Sequence, residues 1–420
     1  MSFVDFAKLR DAVQIQAPGS TDGLESVASV AAPVASAAEY DALDAALGAL
    51  KVRQDEVLAA GGDGEAPFVV DEALAAQVQS FLEVEPLDLR ADDGLEAMYD
   101  SRDIRGWIKS FFTWRRGKGR HPGKWEPGPP VRIPNNARVA LLGDWGTGRY
   151  GAVTCAATIE RTQPAYDVLI HLGDVYYSGT RDEVERNFLA RWPKVPGAVS
   201  RACNSNHEMY SGGFGYYDVT LPRFEQPASY FCLENDHYRI LGLDTGYKDG
   251  DLAGDQAAWA HELILGAGER RVILLTHHQP FTLFRGDGSF EAIVERLQPL
   301  FTAGRIFAWY WGHEHRCVIY DRHPTLNMYG RCIGHSGFPY FRDKLDPHPF
   351  TVNADGSRWY RVGHKDGPTG QVLDGENRDM TEKAEKYGPN GFASLELMAG
   401  GVLERVHAAD GTELLHWTLR

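Results

Sequence analysis

The chain has 420 residues, of which 43% are hydrophobic and 24% charged, the composition of an ordinary globular protein. Its 58 acidic side chains against 43 basic ones give a formal net charge of -15, which disfavours a general nucleic-acid binder. Its 5 cysteines are scattered and form no Cys-x-x-Cys pair, which argues against a disulfide framework and against a thiolate zinc site.

Residues 1–116 are rich in Ala, Leu and acidic side chains. Apolar side chains recur at helical spacing at Leu43, Leu47, Leu50 and Val57, which predicts a mainly helical N-terminal region. We expect this region to contribute no ligands and to act as a cap. The chain begins without the pattern of a signal peptide, so we expect a cytoplasmic protein without a membrane partner.

Residues 117–136 are dense in Gly, Pro and Asn, which predicts a linker. From residue 137 to 420, apolar strands alternate with helical patterns, which predicts a single catalytic domain. Helices are expected near 150–162, 181–192, 254–267 and 290–303. A β-hairpin is expected around Asn235 and Asp236, and a β-meander after residue 389.

Five short polar clusters in this domain carry the residues from which function can be inferred. They are Gly143-Asp144-Trp145-Gly146, Gly173-Asp174-Val175-Tyr176-Tyr177, Asn206-His207-Glu208, His277-His278-Gln279-Pro280 and Gly312-His313-Glu314-His315. Four of the five directly follow an apolar run, where a buried strand is expected to end. Sites in open α/β sheets form at the carboxyl ends of strands, so we expect these side chains to share one sheet edge. Carboxylates, imidazoles and an amide together are typical ligands of a two-metal centre.

In these five motifs the sequence resembles the calcineurin-like metallophosphoesterases and, among them, the purple acid phosphatases. The resemblance covers roughly residues 137–340. It implies an α/β fold in which a β-sandwich is flanked by helices, an αββα arrangement. Residue by residue it also implies a set of metal ligands. The first metal would be bound by Asp144, Tyr177 and His315, the second by Asn206, His278 and His313, and Asp174 would bridge both.

The subclass follows from the first two motifs. Most of the superfamily has Asp-x-His in the first motif, but Gly146 stands where that histidine would be. Tyr177, at the Asp-x-x-Tyr spacing of the purple enzymes, would replace it, with Tyr176 as the alternative ligand. A phenolate is a hard anionic donor, so the implied cofactors are Fe(III) and a divalent ion, Zn, Fe or Mn.

Two histidine assignments and one departure from the family pattern complete the prediction of the site. The His-x-Pro pattern selects His278 as the ligand and leaves His277 outside the ligand set. His171, inside a predicted strand, is expected to be a core or supporting histidine whose ring nitrogens are satisfied. Ser205 replaces the glycine that usually precedes Asn-His, and removes no ligand.

The resemblance implies hydrolysis of phosphate monoesters by attack of a metal-bound hydroxide. His207 matches the catalytic histidine, and Glu208 would orient it. The expected partner is a small-molecule phosphate ester. A phosphodiesterase of the same superfamily is the alternative, and a non-catalytic scaffold is a third hypothesis.

Overall fold

The computed structural model divides into two compact units, and each is considered by itself. One comprises residues 1–120, 176–178 and 210–212, and the other comprises 121–175, 179–209 and 213–420. The described residues are 6–15, 35–59, 72–84, 87–90, 94–97, 119–284, 290–338, 350–352, 358–363, 368–379 and 384–420, with single positions 108, 111, 112, 115, 340 and 342. The boundary at residue 120 falls inside the predicted linker.

The N-terminal unit is built mainly from helices, as predicted. They are Phe6–Ile15, Ala37–Ala59 and Ala73–Val84, followed by a short hairpin of β1 (Leu87–Arg90) and β2 (Gly94–Ala97). The second helix buries the apolar stripe predicted from the sequence, Leu43, Leu47, Leu50 and Val57. Arg10 donates to both carboxylate oxygens of Asp44 at 2.8 Å, which ties the first two helices together. None of the described helices is long and apolar enough to cross a membrane.

The larger unit contains most of the strands. They are β3 (Val131–Arg132), β4 (Arg138–Leu142), β5 (Val168–His171), β6 (Val199–Ala202), β7 (Phe231–Glu234), β8 (Tyr238–Gly242), β9 (Arg271–Leu275), β10 (Ile306–Trp311), β11 (Cys317–Arg322), β12 (Tyr329–Ile333), β13 (Phe350–Val352), β14 (Arg358–Gly363), β15 (Thr369–Asp374), β16 (Gly391–Met398), β17 (Gly401–Ala408) and β18 (Glu413–Leu419). The hairpin of β7 and β8 and the closing meander of β16, β17 and β18 confirm the sequence-based predictions.

Helical segments connect these strands. They are Gly151–Arg161, Arg181–Glu183 continuing into the wider turns of Val184–Leu189, Asn206–Tyr210, Tyr216–Thr220 continuing into Leu221–Arg223, Gln256–Leu265, Glu291–Thr302 and Ala384–Lys386. The four helices predicted in this unit are therefore present, with ends displaced by a few residues. Thr180 and Glu183 form a capping box at the start of the second of these segments.

The strands form two sheets that pack face to face. One sheet has the order β13-β14-β15-β11-β12-β10-β9-β8-β7-β3 and the other the order β18-β17-β16-β4-β5-β6. Alternate residues of β4 show the layering, because Val139 and Leu141 join the core shared with the large sheet, whereas Ala140 and Leu142 pack with the helix Gly151–Arg161. This is the αββα arrangement expected from the sequence.

The central strands of both sheets run parallel, which determines where polar side chains meet. β4 pairs with β5 and β5 with β6, all parallel, in the small sheet. β8, β9 and β10 do the same in the large sheet. Since the carboxyl ends of parallel strands meet at one edge, the loops that follow these strands are gathered there.

A buried ion pair joins the two sheets. Arg331 of β12 and Glu404 of β17 are almost fully buried, and Arg331 Nε lies 2.8 Å and 3.0 Å from the two carboxylate oxygens. The same guanidinium donates to the backbone oxygens of Tyr320 and Gly330 at 2.7 Å. The charges are therefore compensated, and removing one partner would leave the other buried and unpaired.

We expect Glu404→Gln to lower the free energy of unfolding by about 3–5 kcal/mol, as for other broken buried ion pairs. Glu413→Gln is the matched control, since Glu413 pairs with Arg405 at 3.0 Å while its side chain remains 41% exposed, and its loss should cost about 1 kcal/mol or less. Denaturant unfolding of both variants makes the comparison. Equal losses would contradict a special role for the buried pair.

Candidate metal centre

The polar clusters predicted from the sequence lie at the common edge of the two sheets. Asp144 follows β4, Asp174 follows β5 and Asn206 follows β6, while His277 and His313 follow β9 and β10. All five are buried or nearly so.

Several of these residues have a strained backbone. Asp144, Asp174, His313 and His315 have φ angles of 53°, 77°, 68° and 52°, in the left-handed region that such residues rarely adopt. Gly173, with φ 106°, precedes Asp174, and a Cβ there would lie 2.6 Å from His277 Nδ1. Strain of this kind is concentrated at functional sites, where the surrounding structure stabilises it.

One group of possible ligands surrounds His277. Its Nε2 lies 3.0 Å from Asn206 Oδ1, 3.1 Å from His313 Nδ1 and 3.2 Å from Asp174 Oδ1. Its Nδ1 lies 3.0 Å from the backbone oxygen of Leu172, which can only accept, so Nδ1 carries the ring proton. Burial lowers the pKa of His277 well below its usual value, so the ring is neutral and Nε2 is a bare lone pair.

A second group comprises Asp144, Asp174 and His315, whose ligand atoms lie within 4.8 Å of one another. His315 Nε2 is 3.8 Å from Asp144 Oδ1 and 3.7 Å from Asp174 Oδ2. The backbone N–H of His313 donates to Asp144 Oδ1 at 3.1 Å and helps to orient that carboxylate.

The Asp174 carboxylate takes part in both groups. Its Oδ1 faces His277, and its Oδ2 faces His315 and, at 4.0 Å, His207 Nε2. Burial raises the pKa of Asp174, but nearby groups that favour the anion, among them His207 and a hydrogen bond from His315, hold the pKa well below its usual range. A buried anionic carboxylate with one oxygen toward each group has the form of a bridging ligand.

The nitrogen and oxygen atoms that meet at this site are suited to binding metal cations. The bare lone pair of His277 Nε2 faces two oxygen acceptors, Asn206 Oδ1 and Asp174 Oδ1. Lone pairs that converge without a proton between them repel each other, and a cation removes that repulsion. Imidazole nitrogens with carboxylate and amide oxygens suit Zn, Mn and Fe.

Ser205 and Glu208 support Asp174. The hydroxyl of Ser205 donates to Asp174 Oδ1 at 2.5 Å and is hydrogen-bonded to the Glu208 carboxyl. Burial, and secondly the charge of Asp174, raises the pKa of Glu208 to about 8. The serine that replaces the usual glycine therefore contacts the shared carboxylate, which the sequence alone did not indicate.

The other predicted site residues are placed as follows. His207 and Glu208 are buried in the short helix Asn206–Tyr210. Tyr177 is also buried, in the loop after β5. His278 belongs to the first group, since one of its nitrogens lies within 4.8 Å of the ligand atoms of His277 and His313, and its Nδ1 is 2.9 Å from Thr245 Oγ1. Sequence reasoning chose His278 over His277. The structure brings both histidines together with His313, and His277 also contacts Asn206 and Asp174.

The strand pattern contained a signal for His277. Ile273 and Leu275 of β9 face the core between the sheets, while Val272 and Leu274 face the outer helices. Continuing this alternation puts His277 on the same side as Leu275. The His-x-Pro spacing selected His278. That spacing carries no information about which face of the strand a residue occupies.

Comparisons with known proteins identify a domain within the chain. Residues 137–317 match the model of the calcineurin-like phosphoesterase family. This segment of the chain therefore carries a calcineurin-like phosphoesterase domain, as the sequence motifs predicted.

Two sequence relatives carry different enzyme names. Tartrate-resistant acid phosphatase type 5 of Sus scrofa is 26% identical over 219 residues, covering 42% of this chain and 64% of that protein. A probable glycerophosphodiester phosphodiesterase, GpdQ, of Arcobacter nitrofigilis is 27% identical over 131 residues, covering 30% of this chain and 46% of that protein. The matched segments thus span less than two thirds of either relative.

A solved structure supports the fold. The purple acid phosphatase PPD1 of yellow lupin (Lupinus luteus) aligns with a TM-score of 0.50 at 16% identity, covering 68% of this chain and 54% of that chain. At this identity the likeness concerns the fold.

The prediction that the ring nitrogens of His171 are hydrogen-bonded was wrong. This histidine is buried on β5 beside Phe188, with ring centroids 4.5 Å apart, and beside Trp192 and Trp145. Neither ring nitrogen has a hydrogen-bond partner among the described residues. Burial lowers the pKa of His171 to about 3, so the folded state holds a neutral ring.

Because the unfolded chain binds this proton more readily, His171 should destabilise the fold as the pH falls from about 6.5 toward 3. We expect His171→Leu to reduce this loss of unfolding free energy at low pH. His416→Leu, at a 63% exposed side chain, should leave it unchanged. Unfolding of metal-free protein by denaturant between pH 4 and pH 7 measures the difference. Parallel stability curves for wild type and His171→Leu would contradict the assignment.

Proposed function

We propose that the chain is a dinuclear metal-dependent hydrolase of phosphate monoesters, similar to the purple acid phosphatases. The observation that supports it best is the bare Nε2 of His277 facing the oxygens of Asn206 and Asp174. The porcine relative is named an acid phosphatase, which agrees with the proposal.

The proposed ligand set keeps the sequence-based one and adds His277 to it. Asp144, Tyr177 and His315 would bind the first cation. Asn206, His277 and His313 would bind the second. Asp174 would bind both, and His278, the ligand predicted from the sequence, would add its Nε2 to the second cation, because of its two ring nitrogens Thr245 contacts only Nδ1.

When bound, the cations would neutralise charge on the phosphoryl oxygens and activate water. The protein residues would orient them and the substrate. Ser205 would hold Asp174 in position through its hydroxyl. His207, buried within 4.0 Å of Asp174, would face the substrate and donate a proton to the leaving oxygen. Glu208 would support the same segment through Ser205.

A phosphodiesterase activity is the second candidate, because one relative is named a probable glycerophosphodiester phosphodiesterase. Steady-state assays with para-nitrophenyl phosphate and bis-para-nitrophenyl phosphate separate the two. We expect a higher kcat/KM for the monoester. Purified protein without stoichiometric metal and without either activity would support the scaffold hypothesis instead.

We also propose that the N-terminal region ends at residue 116 and the linker at residue 136. The proposed partner is a small-molecule phosphate ester, and the proposed location is the cytoplasm.

The first cation should be Fe(III), because Tyr177 would supply a phenolate. The iron-loaded protein is then expected to show a visible phenolate-to-iron band, and Tyr177→Phe should remove it. Tyr176→Phe is the matched control and should keep the colour. A band that survives Tyr177→Phe and disappears in Tyr176→Phe would assign the ligand to Tyr176.

We expect His207→Ala to lower turnover about a hundredfold, the usual effect of removing a positioned acid or base. The metal content should stay unchanged, because Asn206 and not His207 is the proposed ligand. The loss should be larger for alkyl phosphates, whose alkoxide needs protonation, than for para-nitrophenyl phosphate. His416→Ala serves as the control. Loss of one metal from His207→Ala would make His207 a ligand.

A further inference from the structure

Glu314 stands between His313 and His315 in the sequence, but its side chain has partners outside the ligand groups. The residue is 7% exposed, and both carboxylate oxygens accept hydrogen bonds from protein donors. Thr282 Oγ1 donates to Oε1 at 2.5 Å, and Trp311 Nε1 donates to Oε2 at 2.7 Å. An indole nitrogen can only donate, so the direction of the second bond is fixed. These two contacts account for the carboxylate without a bound cation.

The two donors come from different parts of the chain. Thr282 lies in the loop that follows β9 and carries His277. Trp311 is the last residue of β10, and Glu314 lies in the loop that follows it. The carboxylate therefore joins the loop after β9 to the loop after β10. His277 and His313, one from each loop, supply ligand atoms to the same group.

Both donors are held by contacts of their own. Thr282 Oγ1 accepts the backbone N–H of Phe284 at 3.1 Å, which leaves the hydroxyl proton for Glu314. Trp311 is fully buried, and its ring packs against Phe281 of the loop after β9, with centroids 5.2 Å apart. The connection between the two loops is therefore rigid on both sides of the carboxylate.

The loop after β10 requires such support. His313 and His315 have φ angles of 68° and 52°, and backbone of this kind persists only where the surrounding structure determines it. Glu314 lies between these two strained residues. Because His313 belongs to one ligand group and His315 to the other, a shift of this loop would alter both groups.

We propose that Glu314 is a positioning residue of the metal centre, whose contacts with Thr282 and Trp311 hold His313 and His315 in place for the cations. The inference rests on the dinuclear phosphoesterase activity proposed above. Glu314 acts as a hydrogen-bond acceptor in this role, and neither binds a cation nor touches the substrate.

The first test removes the hydroxyl of Thr282, which is outside the proposed ligand set. We expect Thr282→Val to weaken Zn²⁺ binding to the metal-free protein about 10- to 100-fold in competition with a chelator, as for other groups that orient metal ligands. The kcat for para-nitrophenyl phosphate at saturating metal should also fall. Thr282→Ser keeps the hydroxyl and should recover most of both losses.

A remote hydrogen bond separates positioning from general stability. Thr158 Oγ1, in the helix Gly151–Arg161, donates to the backbone oxygen of Ala409 at 2.8 Å and is buried. Thr158→Val removes a hydroxyl of the same kind and should lower the midpoint of denaturant unfolding. It should leave the Zn²⁺ affinity and kcat at wild-type values.

Variants of Glu314 separate its hydrogen bonds from its charge. In Glu314→Gln, the amide oxygen can accept from Trp311 and the amide nitrogen can donate to Thr282 Oγ1. We therefore expect Glu314→Gln to keep most of the Zn²⁺ affinity, and Glu314→Ala to lose at least as much as Thr282→Val. Equal losses in the Gln and Ala variants would show that Glu314 acts through its charge, which would overturn the inference.

The inference is also overturned if Thr282→Val binds Zn²⁺ and turns over substrate as wild type does, or if Thr158→Val reproduces its losses. Should Glu314→Ala fail to fold, the Thr282 variants still decide the question. A wild-type protein that neither binds metal nor hydrolyses the ester would instead overturn the proposed function. The two failures are therefore distinguishable.

Discussion

The arrangement of the site depends on one carboxylate. Asp174 presents one oxygen to His277 and the other to His315, and it is fully buried. A buried anion is costly unless groups that favour the charged form surround it, and here these are imidazoles and the hydroxyl of Ser205. The separation of the ligands into two groups that share Asp174 follows from this contact.

The fold brings these groups together through its parallel strands. β4, β5 and β6 in one sheet and β9 and β10 in the other direct their carboxyl ends to the same edge. Tight turns then orient the side chains, at the cost of left-handed backbone at Asp144, Asp174 and His313. The core between the sheets, with its buried Arg331–Glu404 pair, provides the rigid support that such turns require.

Much of this was predictable from the sequence, for physical reasons. Apolar runs that end in Asp, Asn or His indicated both the strands and the edge where they end. The contacts of His277 with Asn206 and Asp174 were not predictable from motif spacing, because they depend on which face of β9 continues into the loop. Nor was the contact of Ser205 with Asp174, since it joins residues 31 positions apart. Long-range hydrogen bonds of this kind leave no local pattern in the sequence.

The central claim is that two cations share the Asp174 carboxylate. Anomalous diffraction from crystals of the metal-loaded protein, recorded on both sides of the iron edge, tests it most directly. Two separate peaks, each about 2.0–2.5 Å from an oxygen of Asp174, are expected. One should lie beside Asp144 and His315 and the other beside Asn206 and His277. A single peak, or two peaks of which only one contacts Asp174, would contradict the account.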